Sequence, residues 1–327
     1  MRLATIIPQG GDRPLAAVSV DVQNWVSLHA FLSFFGARDL PAADAPLAQF
    51  LPVLLPRFSE LTRKVSDWPE HGRLFQGRGG KTVRAQRFLA PIMRPPSFRD
   101  FYAFEQHART ARARRGLDMI QAWYEIPVFY FSNPNSLIGH ESEVAAPAGS
   151  VELDYELELG VVIGSRARNI RPDAAWDHVA GFTIINDLSA RDLQRDEMAV
   201  GLGPAKGKDF GTAIGPILVS RDELADKIDG ESVSLEMRAR VNGRELSRGN
   251  SNALFHSFPK MIAQASRDAD LFPGDLIGSG TVGTGCILEL SPEATGGWLK
   301  EGDVVELEIE RIGKLQTKVA ARRAGGL

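Results

Sequence analysis

The amino-acid sequence predicts a strand-rich α+β protein, and three observations predict it. The run Val151 to Gly164, VELDYELELGVVIG, alternates apolar and acidic residues and then turns wholly apolar, the pattern of a strand that enters a core. Strand-like segments recur at Val179 to Ile185, Ile214 to Val219, Val233 to Val241, Cys286 to Leu290 and Val304 to Ile309, with one clear helix, Ser257 to Ser266, among them. Strands and helices do not alternate regularly, so a doubly wound sheet is not indicated. At 327 residues the chain has room for a large domain and a small one. The punctuation near Pro95-Pro96 divides it into a small N-terminal α+β domain over 1–90 and a larger domain over 91–327.

In chain order, Leu3 to Ile7 and Leu15 to Val20 read as short strands around a GGDRP turn. A helical stretch through Trp25 to Phe35 follows and ends at Gly36. LPAADAPLAQFLPVLLP opens a second helix that runs on through Phe58 to Lys64. Turn residues dominate Ser66 to Gly80, and Thr82 to Phe88 reads as extended. RGGK lacks the longer glycine-lysine frame of a phosphate loop. In the larger domain, Phe98 to Arg115 reads as a loop entering a basic helix whose arginines ring it, as on a solvated helix. Pro127 to Phe131 is an aromatic strand stopped by SNPNS, and Asn242-Gly243 is a two-residue hairpin signal.

Composition narrows the function classes. Lysine and arginine number 38 against 41 acidic residues, a net charge of −3, which gives no support to a nucleic-acid partner. No stretch approaches the roughly 20 apolar residues of a membrane span, and the N-terminus lacks a signal-peptide run. The single cysteine, Cys286, forms no intrachain disulfide and fits a reducing compartment, so a cytoplasmic protein is expected. None of the six histidines stands in HExxH, and no GxSxG elbow occurs.

The residues that could carry chemistry cluster at turns and strand ends. In the opening strand, Glu152, Asp154, Glu156 and Glu158 form a row with same-face neighbours about 7 Å apart, which repel unless solvated or bridged. A solvated face explains such a row; an oxygen cage for Mg2+ or Ca2+ explains why it leads into GVVIG. In INDLSARDLQ, a helix starting after Asp187 would put Asp187, Arg191 and Gln194 on one face, either for metal and oxyanion binding or as an N-cap with an ion pair. AKGKDFGT holds Lys208 in a glycine-rich loop, where it could neutralise an enolate or simply meet solvent. In RDFYAFEQHA, Asp100 and His107 at i, i+7 would share a helical face. GSGTVGTG, over Gly278 to Gly285, leads into a strand-like CILEL and is no dinucleotide fingerprint; its glycines would admit backbone close to a ligand, with Thr281 offering a hydroxyl.

Taken together and in order, FRDFYAFEQHA, LDYELELGVVIG, INDLSARDLQ, GKDFGTAIGP, GDLIGSGT and CILEL resemble the fumarylacetoacetate hydrolase family over roughly residues 95 to 320. The resemblance implies a mixed β-sandwich roll as catalytic domain, usual homodimers and, in the longer branch, a small barrel-like N-terminal domain. Thr110, where smaller members carry an acid three residues after the histidine, favours the fumarylacetoacetase-like branch. By resemblance Asp100, Glu156, Glu158 and Asp187 would hold Mg2+ or Ca2+, with Mn2+ as a further candidate. His107 would be the general base, oriented by Glu289; Lys208 would stabilise the leaving carbanion. Arg191, Gln194, Tyr102 and Thr281 would contact substrate. Asp192 and Thr212 lie within the motifs without an assigned role. The chemistry implied is metal-dependent hydrolysis of a C–C bond in a β-diketo acid, as in aromatic-compound catabolism. Water activated by His107 attacks a carbonyl and the leaving carbon departs as an enolate. A decarboxylase, hydratase or tautomerase of 2-oxo acids on the same site is the alternative, and a non-enzymatic metal-binding protein ranks last.

Overall fold

A computed structural model describes residues 1–21 and 23–321. Its centre is an eleven-stranded sheet in which the segments Thr212–Ser220, Val179–Asp187, Leu157–Ile163, Leu276–Gly278, Phe98–Phe101 and Phe129–Phe131 lie side by side. A five-stranded sheet, in the order 244–250, 236–241, 304–309, 313–320, 142–145, packs on one face of it. Val161, Ile163, Phe182 and Ile184 of the first sheet share a core with Met237, Val305, Leu307 and Leu315 of the second. The two-sheet α+β architecture is the one the strand-rich pattern predicts.

The apolar run of GVVIG follows from burial on both faces. Val161 and Ile163 face the second sheet, while Val162 joins Ala180, Ile185, Ile214, Leu218 and Leu276 on the opposite side, beneath Phe31, Phe50, Leu51 and Leu54 of N-terminal helices. A strand covered twice has no polar face to show. The N-terminal strands Arg2–Pro8, Leu15–Ser19, Asn24–Ser27 and Val83–Phe88 pair in a closed ring, each with two of the others. They join the large sheet where Arg2 and Leu3 pair with Val219 and Leu218.

Four local expectations are corrected. The strand from Val151 is two pieces, Leu153–Asp154 and Leu157–Ile163, because the Tyr155 ring turns into the inter-sheet core with its hydroxyl 2.7 Å from Ser247 and the Glu156 N–H donates to the Asn186 side chain. Cys286 to Leu290 is not a strand: Ile287–Leu290 is a helical turn, its first N–H groups taken by Asp154. Residues 66–80 contain a helix, Trp68–Gly77, in which Pro69 stands where a helix tolerates proline and Trp68 stacks on Phe31 and Phe75; aromatic packing overrides a turn-rich composition. The helix expected from Trp25 begins only at Leu28, after the strand Asn24–Ser27, where Ser27 caps it. Elsewhere the hairpin at Asn242-Gly243 has both residues at positive φ, 52° and 79°, as its sequence demands, and Ser257 caps the helix Phe258–Ser266. Among the described residues no helix is long and apolar enough to cross a membrane.

Candidate active site

Three strands of the large sheet, two of them separated by the strand of Gly278, bring three acids together. Asp100 lies in register with Gly278 on one side and Tyr130 on the other, Glu158 sits one strand further on, and Asp187 ends its strand opposite Thr212. Asp100 is 2% exposed and Glu158 and Asp187 are fully buried. One oxygen from each lies within 4.8 Å of the others. Asp100 Oδ1 and Glu158 Oε2 have no hydrogen-bond partner, a costly state for buried carboxylate oxygens. Burial, then the charge of Asp187, holds the Asp100 carboxyl well above its ordinary range; burial, then Asp100, does the same to Glu158.

The fit to a hard cation rests on these orphaned oxygens and on the space left for them. A Cβ at Gly278 would collide with the Asp100 carboxylate and stand 3.1 Å from Glu158 Oε2, so only glycine lets both acids point to one place. Five buried carboxylates (Asp100, Asp154, Glu156, Glu158, Asp187) face two buried cations (Arg191, Lys208), which leaves three negative charges when all are ionised. Oxygen donors with excess negative charge suit Mg2+, Mn2+ or Ca2+.

Glu156 stands apart from that trio. Its Oε1 accepts from Arg191 Nη2 at 2.7 Å and its Oε2 from Lys208 Nζ at 2.6 Å. Burial works to raise its carboxyl, but Lys208, Arg191 and His107 outweigh it and hold the group well below the usual range. Lys208 also donates to Asp187, so its ammonium bridges two of the predicted ligands. Burial acts to lower Lys208, but Asp187 and Glu156 keep it strongly protonated. Arg191 Nη1 donates to Gln194 Oε1 at 3.0 Å. Both start the helix Arg191–Val200, whereas Asp187 stays on the preceding strand; the expected shared helical face is therefore replaced by convergence across a two-residue strand, Ser189–Ala190.

His107 and Glu289 form a second cluster on the same cavity wall. His107 Nδ1 lies 2.5 Å from Glu289 Oε1, and Glu289 Oε2 accepts the Thr284 N–H at 3.0 Å. The His107 ring, 5% exposed, stands edge-on to Tyr102 at 5.3 Å. Since Nδ1 faces the carboxylate, Nε2 is the nitrogen left to handle a proton. Asp100 does not share a helix with His107: it sits on the strand Phe98–Phe101, and His107 on the helix Glu105–Ala113. Cys286 is buried 3.7 Å from Glu289, its thiol pushed up by burial, so it remains a neutral packing residue.

A cavity of about 580 Å³ opens onto all of this and is lined by Asp100, Tyr102, His107, Glu156, Glu158, Arg191, Gln194, Lys208 and Thr281. Ten of the eleven residues expected from sequence meet at or beside it: these nine and Asp187, which Lys208 grips; the eleventh, Glu289, reaches it through His107. Thr281 is 3.5 Å from Glu158 Oε1 and Tyr102 donates to the Ala108 carbonyl at 3.3 Å. The outer part is lined by Val128, Phe129, Met198, Pro204 and Trp298, and by the exposed Arg114 and Arg115 at the end of the basic helix.

Sequence reasoning missed Tyr130, a partly buried residue whose hydroxyl donates to Asp187 Oδ2 at 2.7 Å, with Lys208 over its ring. Alternation in FYF could have separated it from Phe129 and Phe131, but only the register with Asp100 identifies its neighbours. Thr212 donates to Asp187 Oδ1 at 3.2 Å, and Asp192 accepts from Ser150 and from the Val151 N–H, tying the helix of Arg191 to the acidic segment.

Residues 97–320 match the family of fumarylacetoacetate hydrolase C-terminal domains. Over 200 residues the chain is 36% identical to 2,4-didehydro-3-deoxy-L-rhamnonate hydrolase of Sphingomonas sp. (strain SKA58), covering 60% of this chain and 66% of that protein. Over 195 residues it is 36% identical to a mitochondrial oxaloacetate tautomerase of Homo sapiens, covering 59% of each. The match thus spans less than two thirds of either relative. The solved structure of maleylpyruvate hydrolase from Sphingobium sp. SYK-6, in complex with manganese(II) ion and pyruvate, shares the fold with a TM-score of 0.67 at 21% identity, over 99% of this chain and 100% of that one.

Proposed function

The chain belongs to the fumarylacetoacetate hydrolase family, a family of hydrolases, isomerases and tautomerases, and from that premise we propose that it is a metal-dependent hydrolase of a C–C bond in a β-diketo acid of fumarylacetoacetate or acylpyruvate type. The observation that carries this reading is the His107–Glu289 pair, 2.5 Å apart, on the wall of the cavity that also holds the carboxylate cluster. A tautomerase needs a proton carrier; a hydrolase needs a base oriented towards water, and a carboxylate on Nδ1 fixes His107 in the tautomer that accepts at Nε2.

Asp100, Glu158 and Asp187, with Glu156 beside them, would hold Mg2+, Mn2+ or Ca2+. When bound, such an ion supplies charge to polarise the substrate's carbonyl oxygens. Arg191, Gln194, Tyr102 and Thr281 orient the acid. His107 Nε2 takes a proton from water, the resulting hydroxide adds to the carbonyl carbon, and the C–C bond breaks with its electron pair going to the leaving enolate. Lys208 and Arg191, fixed by their carboxylate partners, face that developing negative charge without reorganising. The imidazolium of His107 returns the proton to carbon, giving a carboxylic acid and a ketone.

The 36% identity to a tautomerase supports a second reading, in which His107 moves a proton between carbon and oxygen of a 2-oxo acid without adding water. We further propose a homodimer in a reducing cytoplasm, a role in aromatic-compound breakdown, and residues 1–90 as a small N-terminal domain beside the catalytic 91–327. A panel of acylpyruvates, fumarylacetoacetate and oxaloacetate with each cation, followed by product NMR, separates the readings. His107→Ala should abolish cleavage and keep cation-dependent thermal stabilisation; full activity in that variant removes His107 as base. Stabilisation by cation with every substrate silent would favour a non-enzymatic metal-binding protein.

A further inference from the structure

Asp154 has no part in the steps above, yet its carboxylate, without exposed surface, joins two separate pieces of the site. Oδ2 accepts Arg191 Nε at 2.9 Å and Nη2 at 2.8 Å. Oδ1 accepts the Ile287 N–H at 2.8 Å, and Oδ2 also accepts the Leu288 N–H at 3.0 Å. The first piece runs from Arg191 to Glu156 and Gln194. The second is the turn Ile287–Leu290, which carries Glu289 to His107. Pairing of Leu153–Asp154 with Ser189–Ala190 brings the acid beside the residue that precedes Arg191.

We propose that Asp154 is a positioning residue for both arms of the active site: it fixes the Arg191 guanidinium against Glu156 and fixes residues 287–288 so that the Glu289 carboxylate meets His107. The proposal rests on reading His107 as the base. An ordinary cap would need one oxygen and a surface ion pair one cation. Here a single ionised carboxylate takes two donors from each arm, which an amide cannot do because its NH2 would face donors. Loss of the negative charge must release the guanidinium, the turn, or both, and either release displaces a group that touches substrate or water.

The experiment uses the full-length, cation-loaded protein and Asp154→Asn. The His107–Glu289 hydrogen bond, short and charge-assisted, gives a far-downfield Nδ1 proton resonance, identified by its loss in Glu289→Gln. Asp154→Asn should broaden or shift that resonance and lower kcat/KM by roughly 10–100-fold, with both kcat and KM affected. In a Glu289→Gln background the added loss in kcat should be smaller than in the wild-type background, since the turn arm acts through Glu289 and only the Arg191 arm remains to be lost. Ile287→Pro, at a position that tolerates proline and follows an extended residue, removes only one donor of the turn arm; it should shift the resonance with little change in KM, and it decides the matter if Asp154→Asn does not fold. An unmoved resonance in these variants, or losses that multiply fully in the double variant, overturns the proposal. If no substrate is turned over, the hydrolase reading fails while the resonance still tests Asp154.

Discussion

Adding a divalent cation to the cation-free protein should raise its melting temperature, and by more in mild alkali than in mild acid. Asp100 is held above its ordinary value by burial and by the charge of Asp187, and Glu158 by burial and by the charge of Asp100. Raised carboxyl groups stabilise a fold while protonated; that contribution is complete below the unfolded-state value near 4 and is lost as pH rises through the folded-state value. The cation-free protein is therefore weakest at high pH, where both acids charge and Asp100 Oδ1 and Glu158 Oε2 stay without a partner. An unsatisfied buried oxygen costs about 1–3 kcal/mol, so a cation bridging the two returns about 2–6 kcal/mol. With an unfolding entropy of about 2.1 cal/mol/K per residue over 327 residues, this corresponds to a rise of about 3–9 °C. Calorimetry with EDTA and then with saturating Mg2+, Mn2+ or Ca2+, at about pH 8 and about pH 5.5, measures it; protons compete with the ion at the lower pH and shrink the shift. A melting temperature indifferent to all three ions at the higher pH, or a larger shift at the lower, refutes the carboxylate cluster as a cation site.

Two further outcomes follow from packing. Gly278→Ala puts a methyl group against Asp100 and Glu158, so cation-induced stabilisation should vanish and kcat/KM should fall by about two orders of magnitude, as calorimetry and steady-state kinetics would record. A fragment of residues 91–327 should not fold by itself, because it bares Val162, Ala180, Ile185, Ile214, Leu218 and Leu276 in one patch; a sharp thermal transition with dispersed amide resonances would contradict that.

The site was more legible in the sequence than the paths by which the chain builds it. Asp100, Glu158 and Asp187 could be named from motifs, but period-two and period-3.6 reasoning put Asp187 on the helix of Arg191 and Asp100 on that of His107, whereas cross-strand register assembles them. Cys286 to Leu290 reads as a buried strand by its apolar run; the Asp154 carboxylate, distant in sequence, turns it into a helical turn. The row of acids could not reveal that Glu152 would meet exposed Arg195 while Asp154 and Glu156 share buried Arg191, because partners and not spacing divide them. Tyr130 carried no motif at all; its value lies in standing opposite Asp100.

The face of the sheet that carries the acids is also, farther along the same strands, the floor of the N-terminal helices: Glu158 shares its side of the strand with Val162, and Asp187 with Ile185. Any exchange of residues 1–90 for a segment from a relative is constrained by that floor: a donor segment must offer an apolar surface shaped to Val162, Ala180 and Ile214, whatever its own activity or charge. Grafts chosen by the contour of that buried surface should therefore succeed where grafts chosen by overall sequence identity fail, and substrate range could be varied from the cavity's outer wall without touching the join.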